Sequence, residues 1–255
     1  MKKFLNISYG KDKQQKLDLY LQNFKAPMIF YIHGGGWWRG DKAKDQAVFS
    51  SFLKAGFSVS SINYRLLLVD KKNFFPIQIE DSKRAFYFLI NSKFDFDRNK
   101  IGLLGSSSGA YIALVISNET SYPTVSWSGQ FNFQGFLNTH TSIKGRKMED
   151  NSNPDKGSKA LSYYKWILEK LFNHNFSKVR DASLQYVVTN KVGPIFLINS
   201  ASELAPLNEV YTMQEALIEN GDQVSTLIFP GDRHAQDYEK DAIGPSINFF
   251  RNQLS

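Results

Sequence analysis

Short apolar runs alternate with stretches of helical periodicity through the first two-thirds of the chain. Met28-Ile29-Phe30-Tyr31-Ile32 is continuously apolar, which suits a strand buried on both faces, and it stops at His33-Gly34-Gly35-Gly36. A helix starting near Lys42 and closing at Gly56 leads into a strand over Phe57 to Ile62. Phe75, Ile79, Phe86, Leu89 and Ile90 fall near helical spacing, with Pro76 in the first turn. Ile101 to Leu104 is a short strand running into Gly105-Ser106-Ser107-Ser108-Gly109, followed by a helix over Ala110 to Ile116 and a strand over Thr124 to Trp127.

The pattern changes between Gly129 and about Asn190. Residues 138–157 are polar, with a loop signal at Asn151-Ser-Asn-Pro-Asp; then Leu161, Tyr164, Leu168, Leu171 and Phe172 form one apolar helical stripe. Alternation resumes with a strand over Pro194 to Ile198, a helix over Leu207 to Asn220 stopped by Gly221, and a strand over Val224 to Phe229. A last helix covers Ala235 to about Arg251, where Gly244-Pro245 is expected to break or bend it. Strands alternating with helices predict a mostly parallel central sheet with helices on both faces. One domain over 1–255 is expected, with 129–190 inserted over the end of the sheet as a small helical cap.

Composition narrows the function classes. With no cysteine, disulfides, thiolate catalysis and cysteine-based zinc sites are excluded. After Met1-Lys2-Lys3 only Phe4-Leu5 precedes Asn6, so no apolar h-region of about 7 to 15 residues follows, and a cytoplasmic location is expected. No run approaches the ~18 apolar residues of a membrane span. The net charge of +7 is concentrated between residues 138 and 191, where ten lysines and arginines face five acids. No dense basic run interleaved with aromatics accompanies it. The segment therefore reads as a solvated basic face, with neither nucleic acid nor membrane as partner. The same charge suggests a mild preference for anionic substrates, and the oligomeric state is left open.

Gly105-Ser106-Ser107-Ser108-Gly109 fits G-x-S-x-G between a strand and a helix, the context of a nucleophile elbow. A hydroxyl is a poor nucleophile near neutral pH, so it must be lifted clear of the fold beside a base. The spacing selects Ser107, with Ser106 and Ser108 turned elsewhere. His33-Gly34-Gly35-Gly36-Trp37 follows the first long strand. Successive glycines leave backbone N–H groups free to converge on a developing oxyanion, and Gly35, Gly36 and Ser108 are the expected donors. Neither G-x-x-x-x-G-K-[ST] nor G-x-G-x-x-G is present, which argues against a phosphate loop.

Of four histidines, His234 lies between the last strand and the last helix, and imidazole titrates near working pH. Elbows of this type take their partners in the chain order Ser, acid, His. In the loop Asn199-Ser-Ala-Ser-Glu-Leu-Ala-Pro206 the acid is Glu203. Glu209 falls in the next helix, and Asp232 is too near His234 in sequence. A serine–histidine dyad without a strong third partner is the alternative. Trp37 and Trp38 are expected to line or abut the mouth of the site as substrate-binding residues, with core packing as the alternative. No metal or cofactor is implied.

With these residues assembled, the chain resembles the α/β-hydrolase esterases of the hormone-sensitive-lipase and feruloyl-esterase-like carboxylesterase groups. The likeness covers Tyr9-Gly10, Leu17-Asp18-Leu19-Tyr20, HGGGWWRGDK from His33 to Lys42, Asn63-Tyr64-Arg65-Leu66, Phe75-Pro76, Asp81, Ala85, and Asp97 to Ala110. It implies an α/β-hydrolase fold and a serine carboxylesterase acting on small or short-chain acyl esters. The same resemblance gives structural roles to Tyr64, Arg65 and Asp81. An amide or formamide hydrolase on the same three residues, and a catalytically silent binding protein, are the rival expectations.

Overall fold

The computed structural model describes residues 1–67, 72–148 and 156–255. The loop expected at residues 151–155 lies outside them. Eight strands form one sheet: β1 (Lys2–Ser8), β2 (Lys16–Leu21), β3 (Met28–Ile32), β4 (Ser58–Ile62), β5 (Ile101–Ser106), β6 (Thr124–Trp127), β7 (Ile195–Ser200) and β8 (Val224–Phe229). Their spatial order is β1-β2-β4-β3-β5-β6-β7-β8. The first two pairings, β1 with β2 and β2 with β4, are antiparallel; the other five are parallel.

Among the described residues seven α-helices accompany the sheet: α1 (Gln46–Lys54), α2 (Ile77–Ile90), α3 (Ser108–Thr120), α4 (Phe133–Thr139), α5 (Lys156–Leu171), α6 (Leu207–Glu219) and α7 (Glu239–Gln253). Successive strand residues point to opposite faces, and that period divides the core in two. Met28, Phe30, Ile32, Ile101, Leu103, Ile195 and Leu197 pack with residues of α2, α3, α5 and α6. Ile29, Tyr31, Val59, Leu104, Val125, Trp127 and Ile198 pack with α1 and α7. The chain has an α/β-hydrolase fold, with the mostly parallel sheet covered on both faces as expected.

Three elements, β1, β2 and α7, depart from the expected pattern. β1 and β2 were not read as strands: β2 is buried but carries Asp18 within its apolar run, and β1 is an edge strand whose residues are nearly all exposed. Such a strand shows no buried stripe, and its two lysines blunt an unpaired edge. The break expected at Gly244-Pro245 is absent: α7 continues through Pro245. Proline removes one i→i−4 bond there. The buried stripe Ala242, Ser246, Phe250 runs across it, so packing on the sheet holds the helix together.

Behind the site, Asp81 of α2 is fully buried and collects four donors. Arg65 donates from its backbone N–H (3.0 Å), Nε (2.8 Å) and NH2 group (2.6 Å), and Gln15 Nε2 from 2.7 Å. This two-pronged guanidinium–carboxylate contact ties the segment after β4 to α2, and Gln15 adds the segment before β2. Tyr64 donates its hydroxyl to the His33 carbonyl (3.1 Å), which steadies the end of β3.

Candidate active site

Parallel strands deliver their C-terminal ends to one edge of the sheet, and the candidate residues all follow such ends. Ser107 stands between β5 and α3 at φ 52° and ψ −121°. A serine held there stores strain of roughly 1–3 kcal/mol, maintained by its surroundings. Its N–H donates to the Trp127 carbonyl at the end of β6 (2.7 Å). Gly109 closes the turn because a Cβ at that position would lie 2.2 Å from the Ile32 carbonyl oxygen. Ser106 and Ser108 are buried away from the cavity, and Gln236 Nε2 donates to Ser106 Oγ (2.6 Å).

His234 sits after β8 and joins two of the expected residues. Its Nε2 is 2.8 Å from Ser107 Oγ, and its Nδ1 meets Glu203 Oε2. Glu203 follows β7 with its side chain fully buried. Its other oxygen accepts from the Ser200 N–H (2.7 Å) and from Ser128 Oγ (2.9 Å), so the buried carboxylate is fully partnered. Ser128 in turn accepts from the Ala235 N–H (2.8 Å), which locks the backbone next to His234.

The glycine loop lies against the same serine. Gly35 adopts φ 125°, and a Cβ there would fall 2.0 Å from the Arg39 carbonyl oxygen. The Gly35 carbonyl accepts from the N–H groups of Trp38 (3.3 Å) and Arg39 (3.1 Å), which closes a tight turn. His33 is buried, stacks on Tyr64 (4.6 Å between centroids) and donates from Nδ1 to the Gly34 carbonyl (2.7 Å). Burial pushes its pKa below the ordinary histidine value, so it serves the loop as a neutral ring. Ser108 opens α3, where the first amides of a helix lack intrahelical acceptors. Gly35, Gly36, Ser107 and His234 share one cavity of about 370 Å³.

The BD-FAE family model matches residues 17–217. This chain belongs to the BD-FAE family. Among curated relatives of this BD-FAE member, Esterase LipC of Mycobacterium tuberculosis (strain ATCC 25618 / H37Rv) is 26% identical, over 97% of this chain and 64% of its own length. Isoprenylcysteine alpha-carbonyl methylesterase ICME of Arabidopsis thaliana is 24% identical, over 93% of this chain and 58% of its own. The chain thus spans about six-tenths of the length of these two relatives. Among solved structures, a truncated form of carbohydrate esterase from gut microbiota superposes with a TM-score of 0.78 at 19% identity, covering 100% of this chain and 96% of that one.

In this BD-FAE member the two tryptophans do not line the cavity. Trp37 is 0% exposed and packs edge-on against Tyr111 and Phe133, so its role is core packing. Trp38 stands one layer back: its Nε1 donates to the Tyr163 hydroxyl (3.0 Å), and Tyr163 of α5 is the residue that faces the cavity. Sequence reasoning missed Ser128, Gln130, Tyr163 and Ile167, all brought in by the residues between β6 and β7. A serine after a short strand carries no signal of its own. Among the described residues no group of three His, Asp or Glu is gathered to hold a metal ion, and no helix is long and apolar enough to cross a membrane.

Proposed function

We propose that this protein is a serine carboxylesterase that hydrolyses small or short-chain acyl esters through an acyl-enzyme on Ser107. The observation that carries the reading is the relay from Glu203 through His234 to Ser107, with Nε2 2.8 Å from the hydroxyl. His234 takes the Ser107 proton as Oγ attacks the ester carbonyl, and Glu203 holds the imidazolium that forms. The N–H groups of Gly35, Gly36 and Ser108 receive the tetrahedral oxyanion. Each such donor contributes about 2.7–4 kcal/mol of transition-state stabilisation. The alcohol leaves with the proton from His234, and a water activated by the same imidazole releases the acid.

The esterase names of the two relatives support this reading, and the cavity suits a short acyl group. We assign residues 129–190 the part of a small cap on a single domain: Tyr163 and Ile167 of α5 line the cavity beside the glycine loop, where Ile167 lies against Gly36. The test is turnover of short-chain p-nitrophenyl esters by wild type and Ser107→Ala side by side. The reading requires turnover that is lost in the variant, and equal rates in both proteins would refute it.

A further inference from the structure

Five polar side chains on the cavity wall have no part in the proposed reaction; Tyr163 is partnered by Trp38 and Gln236 by Ser106, which leaves Arg39, Lys44 and Gln130. Arg39 and Lys44 lie on the segment joining the glycine loop to α1. Neither has an ion-pair partner among the described residues. The Arg39 guanidinium rests over the Trp38 ring at 5.1 Å, which orients it without neutralising it. Acids on the same segment are engaged elsewhere. Asp41 accepts from Asn63 and from the Ala43 N–H, Asp45 accepts from the Tyr31 hydroxyl, and Lys42 pairs with Asp18. Among the described residues no carboxylate faces the cavity, and Glu203 lies behind His234.

Gln130 is the second, independent observation. It is 1% exposed, and neither Nε2 nor Oε1 has a hydrogen-bond partner. A buried amide without a partner is costly, and one on a cavity wall is available to a ligand. Its position is fixed from behind. The next two backbone N–H groups, of Phe131 and Asn132, both donate to the buried Glu209 carboxylate at 2.8 and 3.0 Å.

We propose that this cavity selects esters bearing a carboxylate on their acyl or alcohol part, with Arg39 and Lys44 supplying positive charge and Gln130 Nε2 donating to it. The proposal rests on the serine-esterase reading above and names its substrate class. Two cations on one concave wall, with no acid among the described residues of that wall, attract an anion during approach as well as in the bound state. Both are exposed, so each is worth up to about fivefold, and the pair on the order of tenfold. The guanidinium fork matches a planar carboxylate, while the buried amide fixes its position.

The test compares matched ester pairs: mono-p-nitrophenyl succinate against p-nitrophenyl butyrate, and 4-acetoxybenzoate against 4-acetoxybenzamide. For at least one pair, kcat/KM of wild type is expected to favour the anionic member about tenfold. That ratio should fall about tenfold in the double variant Arg39→Gln/Lys44→Gln, and should shrink between about 0.02 M and about 0.5 M salt. Gln130→Leu should lower the ratio in the same direction. Anionic members that are no better than their partners in either pair would overturn the proposal, as would a preference that survives both the double variant and salt. Absence of Ser107-dependent turnover on all four esters would sink the esterase reading and this proposal with it. Turnover without charge preference sinks this one alone.

Discussion

Ser128, just past the end of β6, donates its hydroxyl to Glu203 Oε1 at 2.9 Å. It also accepts from the Ala235 N–H, so one side chain sets both the acid and the backbone beside the base. Ser128→Ala removes that link without touching the cavity wall. The expected result is a fall in kcat of roughly tenfold, the worth of one such hydrogen bond, with KM unchanged. A rise in KM at constant kcat would show that Ser128 serves binding instead.

Glu203 faces His234 Nδ1 with its charge buried. Glu203→Gln keeps the shape but removes the negative charge and permits the wrong imidazole tautomer. A loss in kcat of about 10⁴-fold is expected, with the thermal midpoint shifted by only a few degrees. Retention of most of the activity would mean that Ser107 and His234 work as a dyad.

Glu209 is pushed up to about 7 by burial, against the pull of the Asn132 and Phe131 N–H groups and the Tyr164 hydroxyl. Its ordinary value is 4.5. Between those two pH values the folded protein holds a proton that the unfolded chain has lost, so this group makes stability fall as pH rises through the window. The change is on the order of 3 kcal/mol. Glu209→Gln keeps an acceptor for the two N–H groups and removes the titration. Denaturant unfolding at pH 4.5 and 7.5 should show a flatter dependence in the variant, and identical dependences would contradict this account.

Asp81 gathers Arg65 and Gln15 in the buried layer behind the glycine loop. Asp81→Ala leaves the guanidinium, three-quarters buried, without its partner. A loss of about 3–5 kcal/mol is expected, read as a lower denaturant midpoint with an unchanged slope. An unaltered midpoint would show that the contact is dispensable.

Legibility in the sequence followed burial. β3, β6 and β8 have the bounds the sequence suggests; β3 is continuously apolar because it is buried on both faces, whereas β8 is an edge strand with no fully buried residue. Ser107, His234 and Glu203 were legible because each follows a strand end in the chain order such elbows require. Trp37 was misread: Gly35 and Gly36 before it face the cavity, but Trp37, at a φ of 62°, is buried in the core. Ser128 and Gln130 were invisible for another reason. Their importance lies in contacts with Glu203 and with the cavity, 75 residues away in one case, and nothing in their local pattern records that.

The central claim is that Ser107 is the hydroxyl activated by His234. The most direct measurement is peptide-mapped mass spectrometry after treatment with an active-site organophosphate, in wild type, Ser107→Ala and His234→Ala. The account predicts one adduct on Ser107 in wild type, none in Ser107→Ala, and strongly slowed labelling in His234→Ala. Labelling at Ser106 or Ser108, or no adduct at all in wild type, would contradict it.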